Sequence, residues 1–474
     1  MSQFLCHHNM QTHNNSIANL RRGVGERVLF VDKACNPPVA PQPNIFNNRC
    51  GSYLRPIVNG LGFQSPVSRQ SFVDYYQGPR RSMYQKAVDG LAIKAVHPRD
   101  SHLKTFIKAE KLNFTLKPDP APRVIQPRDA RYNVEVGRYL RPLEHKLYDE
   151  IDRLFKTPTI FSKYNCVEQA SLLRDKWNSF TKPVCIGLDA SRFDQHVSEQ
   201  ALKFEHSLYN TIFNSKELAQ LLSWQLNNHG VARSNDGFFR YFKKGSRMSG
   251  DMNTSMGNKL LMCLMAKAYL DTLSFHVEFV NNGDDCLMIF DKRNLNGLKG
   301  LNSYFTDFGF KIVQEQPVYE FEHIEFCQTK PCLTSSGWRM VRNVKTCMSK
   351  DVTCVNLGHN LKEYQVWLGK VGECGATAAA GVPILQNFYQ MLRRFGVAGV
   401  LSQGHKFESE YNWHNKMIKG LGGLNTFISD EARYSFWLQT DICPDLQIEL
   451  ENYFNESVWG GDKRQIIDIK INLN

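Results

Sequence analysis

Short apolar runs bounded by polar turns dominate the middle third of the chain. The run Val184–Leu188 has the length and composition of a buried strand, and it ends at Asp189. Two similar runs, His276–Val280 and Cys286–Phe290, flank the segment Asn281–Asp285. Because Asn-Gly between two apolar runs is a strong hairpin signal, we predict two short strands joined by a tight turn. The turn would carry two adjacent carboxylates at its apex, clear of the flanking strands.

Helical periodicity is found around these strands. The segment Val197–Leu208 predicts a helix soon after the first strand. A Ser-Gly loop at 249–250 leads into a second helix, whose apolar residues recur at helical spacing: Leu260, Leu261, Leu264, Met265 and Ala268. Beyond about Lys345 the pattern is mainly helical, and one helix has Pro383 inside its start and Gly396 past its end.

The strand-end and turn carboxylates are candidate metal ligands. Asp189 and Asp284 can lie side by side at the ends of neighbouring strands and hold two divalent ions between them, with Asp285 assisting. Two other interpretations remain open on these residues alone. An Asp-Asp pair in a turn is often only solvated, and Asp189 can cap the helix predicted at 197–208.

A polar helix face follows the Ser-Gly loop. Thr254 and Asn258 are four residues apart, so a helix presents their hydroxyl and amide on one face. Such a pair is suited to hydrogen-bonding a sugar. Ordinary helix-start chemistry, with Ser249 or Thr254 as the cap, is the alternative.

Composition narrows the class of protein. The 474 residues have a formal net charge of +12, which favours an anionic partner such as nucleic acid. The 13 cysteines are odd in number and contain no Cys-x-x-Cys pair, which argues against a disulfide framework and a structural zinc site. No run approaches the roughly 18 apolar residues of a membrane span, and Met1 begins no signal peptide.

Three ordered segments carry a resemblance to a known family. They are GLDASRFDQHVS at 187–198, RMSGDMNTSMGNKLLM at 247–262 and NNGDDCLMIF at 281–290. In this order they resemble the palm domain of viral RNA-dependent RNA polymerases. The match is close to the tombusvirus and carmovirus type of plant positive-strand RNA viruses, and it extends from about Arg21 to about Phe395.

The resemblance implies an α+β fold shaped as a right hand, with an antiparallel palm sheet and a helical thumb. Residues 1–45 are predicted to be a partly disordered N-terminal extension, and 46–180 to be the fingers. The palm spans 181–344 with a fingers insertion at about 200–245, and the thumb spans 345–474.

The resemblance also implies roles for the acidic and basic residues. Asp189, Asp284 and Asp285 become the catalytic residues and ligands of two Mg²⁺ ions, with Mn²⁺ as a substitute. Nucleotide binding is assigned to nine residues: Lys108, Lys111, Arg123, Arg128, Asp194, Ser249, Gly250, Thr254 and Asn258. Arg123 and Arg128 would hold the triphosphate, because guanidinium matches phosphate geometry. The alternative interpretation is that these basic residues only provide surface charge on a mobile loop.

Sugar selection is assigned to the position five residues after Asp189. Reverse transcriptases usually place a bulky aromatic there, whereas this chain has Asp194, an acceptor able to engage a 2′-hydroxyl through Thr254 and Asn258. A site built to bond a hydroxyl rejects the analogue that lacks it, so ribonucleotides are expected.

RNA contacts are assigned to four further residues. Arg80 and Arg81 lie in an aromatic and basic segment, 75–84, of the kind that guides a single strand. Arg247 precedes the Ser-Gly loop, and Cys327 lies in the segment 324–328 that matches the family's primer-supporting hairpin. Lys311 is the candidate proton donor to pyrophosphate, although relatives often place this lysine two positions later, and Lys345 and Lys350 remain alternatives.

The function predicted from these motifs is RNA-directed RNA synthesis in a positive-strand RNA virus of plants. A reverse transcriptase and a non-catalytic RNA-binding replication factor are the alternatives. Expected partners are a single-stranded RNA template, the nascent RNA, NTPs and a membrane-anchored viral replication protein. The expected site is the host cytoplasm at membrane-associated complexes, since the N-terminal region that often anchors relatives is absent from this sequence.

Overall fold

The computed structural model describes residues 9–298, 300–354, 360–399, 401 and 417–459. The α-helices are α1 (Ile17–Val24), α2 (Ile45–Leu61), α3 (Arg69–Asp74), α4 (Gly78–Ile93), α5 (Ala130–Phe155), α6 (Cys166–Asn178), α7 (Phe193–His196), α8 (Glu199–Phe213), α9 (Lys216–Ser223), α10 (Thr254–Leu270), α11 (Leu301–Asp307), α12 (Val344–Lys350), α13 (Leu361–Ala378), α14 (Leu385–Phe395), α15 (Asp430–Thr440) and α16 (Pro444–Glu456). Helices and small sheets are mixed along the chain, as predicted for an α+β protein.

The strands form small sheets. They are β1 (Met10–Gln11), β2 (Leu103–Ile107), β3 (Leu112–Asn113), β4 (Val124–Ile125), β5 (Pro183–Ala190), β6 (Asn227–Ser234), β7 (Gly237–Lys244), β8 (Glu278–Asn282), β9 (Asp285–Asp291), β10 (Ile312–Gln314), β11 (Thr329–Thr334) and β12 (Gly337–Arg342). A central sheet has the order β10-β5-β9-β8, and an outer sheet has the order β4-β2-β6-β7. The pairs β1-β3 and β11-β12 complete the set among the described residues.

The central sheet is antiparallel and buried on both faces. On one face Val184, Ile186 and Leu188 pack into a large core with residues of α2, α5, α8 and α10. On the other face Cys185 and Leu287 pack against α6 and the β11-β12 hairpin. Burial on both sides explains why β5 is a continuous apolar run rather than an alternating one.

The predicted hairpin is present, but its turn is tighter than the sequence suggested. Asn282 and Asp285 form the last strand pair, so only Gly283 and Asp284 make the turn. Gly283 has φ +88°, a conformation that glycine adopts without strain. The Asn281 side chain bonds both the nitrogen and the carbonyl of Gly283, at 3.0 and 2.8 Å, and so closes the turn. The prediction that both carboxylates lie beyond the strands was therefore wrong: Asp285 begins β9.

The other predicted helix boundaries shift by a few residues. Ser198 caps α8 by accepting a bond from Ala201, so Asp189 does not serve as that cap. Asn253 occupies the cap position of α10 without a side-chain bond, so neither Ser249 nor Thr254 is the cap. The helix predicted at Pro383–Gly396 is α14, which ends with Gly396 as its cap.

The N-terminal segment is built into the outer sheet. Leu20 and Val24 of α1 pack with Leu103 and Ala232 of the sheet. Residues 9–45, predicted to belong to a partly disordered extension, thus include a helix with its own core contacts, and residues 1–8 lie outside the described residues. Residues 37–42 belong to no helix or strand, and the Gln42 backbone nitrogen donates to the Asp307 carbonyl at 2.8 Å.

The C-terminal helices form a separate core. Trp367 of α13 and Phe388 of α14 are fully buried there with Phe436 of α15 and Phe454 of α16. Residues 355–359, 400, 402–416 and 460–474 of the segment predicted to be a thumb lie outside the described residues.

All twelve described cysteines are free thiols, so no disulfide links them to one another. Among the residues that the structure covers, no helix combines the length and apolar character needed to cross a bilayer.

The crossing of α13 and α14 requires a glycine. A Cβ added at Gly372 would meet the Arg393 nitrogen at 2.6 Å and the Tyr389 carbonyl at 2.9 Å, and backbone cannot swing aside. We expect Gly372→Ala to destabilise the C-terminal core by about 1–3 kcal/mol through overpacking. The measurement is the urea midpoint followed by circular dichroism.

Gly51→Ala in α2 is the matched control. A Cβ there meets nothing within 4 Å, so only helix propensity changes and stability should rise by about 0.5–1 kcal/mol. Equal midpoint shifts for the two variants would contradict the close-approach argument.

Candidate active site

Three carboxylates meet where the central sheet ends. Asp189 near the end of β5 is the direct neighbour of Asp285 at the start of β9. Asp284 lies in the adjoining turn, and its carbonyl accepts a bond from Ala190 at 3.3 Å. Asp189 and Asp284 are exposed and Asp285 is half-buried. The structure thus brings together the three acids that the sequence singled out.

Their surroundings disfavour negative charge. The Asp284 carboxylate reaches solvent, yet nearby protein atoms displace part of its hydration and raise its pKa, and repulsion from Asp194 and Asp189 adds to this. Desolvation raises the pKa of Asp285 to about 6, against a backbone hydrogen bond that lowers it. That bond comes from the Cys327 nitrogen, 2.8 Å from Oδ2.

Cys327 supports the carboxylates through its backbone. It has φ +52°, an uncommon value for a residue other than glycine, which turns its N–H towards Asp285. Its sulfur accepts a 3.0 Å bond from the Asn282 amide across the hairpin end. The thiol is half-buried beside the carboxylates. The predicted contact of Cys327 with RNA stays a prediction.

The donor set fits a divalent cation. Carboxylate oxygens are the ligands that hard cations such as Mg²⁺ and Mn²⁺ prefer, and a nearby cation favours the ionised form of each carboxylate. In the described part of the chain, no group of three or more His, Cys, Asp or Glu side chains is arranged closely enough to hold a metal ion.

Beside the acids lies a hydrogen-bonded network centred on Asp194. Its carboxylate accepts bonds from the Ser249 hydroxyl at 2.6 Å and the Asn258 amide at 2.7 Å. The Thr254 hydroxyl turns instead to the Met248 and Asp251 carbonyls, both at 2.9 Å. Asn258 thus hydrogen-bonds Asp194, the predicted acceptor, whereas Thr254 hydrogen-bonds the backbone of the loop before α10.

Gly250 lets the loop approach β4 closely. Its φ is +133°, and an added Cβ would lie 3.1 Å from the Pro127 backbone. The Gln126 nitrogen donates to the Ser249 carbonyl at 2.7 Å, which ties the two segments together. The loop is therefore fixed in place beside the Asp194 network.

Arg247 is a buried structural residue. Its guanidinium is fully buried and forms an ion pair with Glu205 of α8, itself fully buried. Its Nε donates to Asn258 Oδ1 at 3.0 Å, which orients the amide that bonds Asp194. Because the Arg247 side chain is fully buried, it has no exposed atoms for the RNA contact predicted from the sequence. It positions Asn258 instead.

Arg128 is likewise committed to the interior. It pairs with Asp251 at 2.5 Å, and both side chains are almost fully buried. Further bonds of 2.7 Å run to the Ser101 carbonyl and to Asn228 Oδ1. The structure thus places Arg128 away from a phosphate-binding position, because its donors are already used inside the protein.

Arg123 remains open to a ligand. Its side chain is 55% exposed and pairs with Glu110 at 3.2 Å. Lys108 reaches the same Glu110 oxygen at 3.1 Å, so both predicted cations share one anionic partner. Arg123 also acts electrostatically on Asp284, which it helps to keep ionised.

Two arginines that sequence reasoning did not single out join this group. Desolvation and repulsion from Arg192 and Arg123 lower the pKa of Arg27, and the buried Nε of Arg27 has no hydrogen-bond partner in the described structure. Arg192, with φ +49°, bonds the Glu26 carbonyl. Arg192 lies inside the Asp189–Asp194 motif and was therefore detectable from the sequence. Arg27 lies just after the end of α1, and no sequence signal indicates that it is close to Arg192 and Arg123.

The remaining predicted lysines and arginines lie in several places. Lys111 donates to the Lys350 carbonyl at 2.9 Å and lies 5.0 Å from the Trp367 ring centre, so it contacts the C-terminal helices. Lys311 is exposed, and its carbonyl bonds the Ser191 nitrogen at 3.0 Å. Arg80 and Arg81 are exposed on α4, and Arg81 pairs with Asp74 at 2.8 Å.

The raised pKa of Asp285 predicts competition between protons and metal. Below about pH 6 this carboxyl is protonated in the metal-free protein, so a cation must displace the proton. We expect Mn²⁺ affinity, measured by electron paramagnetic resonance, to fall as pH is lowered from about 7.5 to about 5.5.

Asp285→Asn is the control, because it removes this proton while keeping the side chain's shape. Its weaker Mn²⁺ binding should depend less on pH. An affinity that is independent of pH in the unaltered protein would contradict the assignment.

Comparisons with known proteins agree with this geometry. Residues 1–458 match the family model described as viral RNA dependent RNA polymerase. The RNA-directed RNA polymerase of Turnip crinkle virus is 44% identical over 451 residues, covering 94% of this chain and 57% of that protein. That of Tobacco necrosis virus (strain A) is 42% identical over 447 residues, covering 94% and 61%. That of Cymbidium ringspot virus is 42% identical over 444 residues, covering 93% and 53%.

The chain thus spans 57%, 61% and 53% of the length of these three relatives. The family model nonetheless covers almost all of this chain, including the three carboxylates and the Asp194 network. The chain belongs to the viral RNA-dependent RNA polymerase family.

Proposed function

We propose that this protein is an RNA-directed RNA polymerase of a plant positive-strand RNA virus. The single observation that carries the proposal is the register that places Asp189 beside Asp285, with Asp284 in the adjoining turn. Paired carboxylates at a strand end, next to a network that can bind a ribose, are the arrangement that nucleotidyl transfer requires.

In the proposed reaction the 3′-oxygen of the growing RNA forms a bond to the α-phosphorus of an NTP. The bond from that phosphorus to the pyrophosphate oxygen breaks, and the 3′-hydroxyl proton passes to water. The family generally uses divalent metal ions. Two Mg²⁺ ions, or Mn²⁺ in their place, would supply charge neutralisation at the phosphates and a lower pKa for the attacking hydroxyl. Asp189, Asp284 and Asp285 would hold them.

Arg123, Lys108, Arg27 and Arg192 would hold the triphosphate. Arg123 is more than half exposed, and its electrostatic influence reaches Asp284. Desolvation, and then repulsion from Arg192 and Arg123, lower the pKa of Arg27, and a bound anion would offset that repulsion. Arg128 and Lys111 would contribute to the structure around the nucleotide rather than bond it.

We propose Lys350, rather than Lys311, as the proton donor to pyrophosphate. Desolvation, and then repulsion from Arg342, lower the pKa of Lys350. Lys350 also interacts electrostatically with Lys111 and with Glu110, the acid that pairs with Lys108 and Arg123. A lysine with a lowered pKa transfers its proton more readily to the departing pyrophosphate. The Lys311 carbonyl accepts a bond from the Ser191 nitrogen, and Lys345 is exposed on α12.

The elements fit a right-hand arrangement. The central sheet would be the palm, the outer sheet with α3 and α4 the fingers, and the helices from α12 onward the thumb. Arg80 and Arg81 on α4 would meet the template strand. We further propose that a membrane-anchored viral replication protein recruits the chain to membrane-associated complexes in the host cytoplasm.

The first experiment compares RNA synthesis on a single-stranded RNA template with NTPs and Mg²⁺. Asp284→Asn should lower the rate by at least about 10²–10³-fold, because an electrostatic stabiliser is lost at the reacting phosphate. Asp291→Asn, at the far end of β9 from the Asp284 turn, should retain activity.

Two results would overturn this proposal. Tight RNA binding without any synthesis by the unaltered protein would favour a non-catalytic replication factor, and synthesis that survives Asp284→Asn would remove the carboxylates from the reaction.

The Asp194 network predicts the choice of sugar. Asp194→Ala leaves the Ser249 hydroxyl and the Asn258 amide without their acceptor and removes the group that would engage a 2′-hydroxyl. Hydrogen bonds to a charged group contribute about 1.5–3 kcal/mol, so the ratio of kcat/KM for NTP over dNTP should fall about 10- to 100-fold. Single-nucleotide extension of a primed template measures this ratio.

Asn258→Ala should lower the same ratio less, because the acceptor stays. Unchanged discrimination in Asp194→Ala would remove Asp194 from sugar selection. Efficient use of dNTPs by the unaltered protein would favour a reverse transcriptase.

A further inference from the structure

One face of the outer sheet carries exposed rings and guanidinium groups. Along β7, residues alternate between exposed and more buried, and the exposed set is Phe238, Arg240, Phe242 and Lys244. The alternation continues on β2, where Lys104 and Phe106 are exposed between buried neighbours. Side chains two residues apart on a strand share a face, so these residues form one surface.

The pairing registers arrange this surface in rows. His229 pairs with Phe242, Val231 with Arg240 and Arg233 with Phe238. On the other side of β6, Lys104 pairs with Val231, so it continues the middle row. His102 lies 5.2 Å from the His229 ring, so it extends the row that ends at Phe242.

The rings on this face are too exposed to serve the core. Phe106, Phe238 and Phe242 are 43%, 57% and 51% exposed. The opposite face already supplies the core, through Leu103 and Ala232 with Phe239 and Tyr241 packed against them. A contiguous exposed apolar surface of this kind marks a binding site more often than it contributes to folding.

Its charge is positive and partly uncompensated. Arg233 lies 5.5 Å from the Phe238 ring centre, and neither Arg233 nor Arg240 has a carboxylate partner among the residues that the structure describes. Lys104 pairs with Asp129 at 2.7 Å, and Lys244 pairs with Glu199 at 2.8 Å. The two arginines therefore remain available to an anion that also offers flat groups to the rings.

We propose that this face, formed by Phe106, Arg233, Phe238, Arg240 and Phe242 and named here the aromatic–basic face, binds single-stranded RNA. Bases stack on the phenylalanine rings, and the phosphates between them meet the two arginines. Stacking is sequence-tolerant and needs unpaired bases, so a duplex cannot use the face in this way.

The face adjoins the reaction centre. Phe106 pairs with Ile125 of β4, and β4 follows directly after Arg123. An RNA single strand on the face is thus led towards the carboxylates, outside the nucleotide site itself. The assignment rests on the proposed function for its choice of RNA as the polyanion.

The test is fluorescence anisotropy with a labelled oligouridine of about 12 nucleotides, using the full chain at fixed salt. Phe238→Ala and Phe242→Ala should each weaken binding about tenfold, as expected for the loss of one stacked base. Phe63→Ala is the matched control, because Phe63 is 82% exposed and lies away from this face, and its affinity should be unchanged. Equal thermal midpoints confirm that the variants are folded.

Salt dependence separates stacking from charge. Arg240→Gln should reduce the slope of log affinity against log salt concentration by about one, whereas Phe242→Ala should leave the slope unchanged. Photocrosslinking with 4-thiouridine RNA should label peptides within residues 227–244. Unchanged affinity in both phenylalanine variants, or crosslinks confined to other segments, would overturn the proposal and leave the face to a protein partner.

The readout is independent of catalysis. If the unaltered chain makes no RNA, the proposed function fails, and the anisotropy series still decides whether the face binds RNA. If the chain makes RNA and the variants bind it normally, only the inference about the aromatic–basic face is lost.

Discussion

The pairing register of β5 with β9 is the constraint on which the site depends. Asp189 stands beside Asp285 in this register alone, and a slip of one residue would move every side chain of a strand to the other face. One face of β5 packs in the core that includes α10, and the other face packs in the core that includes α6. The edge of β5 away from β9 pairs with β10. The burial of ordinary apolar residues thus holds mutually repelling carboxylates together.

The buried arginines extend that constraint to the polar network. Breaking a buried ion pair by removing one partner costs about 3–5 kcal/mol, since the remaining charge is left uncompensated. Arg247 is held in this way by Glu205, and its Nε in turn orients Asn258 against Asp194. The Asp194 network, proposed to bind the sugar, therefore depends on an ion pair that is fully buried. Arginines in such a motif serve structure as readily as they serve a ligand.

Sequence reasoning succeeded where local pattern and tertiary structure agree. The apolar run before Asp189, the Asn-Gly turn and the helix after the Ser-Gly loop are all present, and the register places Asp189 beside Asp285 rather than beside Asp284. It failed for Arg128 and Arg247, because a basic residue in a motif carries no local sign of a buried partner far along the chain. It also missed Arg27, which tertiary packing alone brings to Arg123 and Arg192.

The two charged groups of the site are kept apart by their own partners. Arg123 and Lys108 form ion pairs with Glu110 rather than with Asp189, Asp284 or Asp285, and Asp285 accepts a hydrogen bond from a backbone nitrogen. Direct pairing of Arg123 and Lys108 with the aspartates would neutralise the charges of both groups and close the space between the groups. Instead, desolvation and then like-charge repulsion raise the pKa of Asp284 and lower the pKa of Arg27. Local rules of stability are commonly broken at functional sites and compensated by packing elsewhere, and here the compensation is the core on both faces of the central sheet.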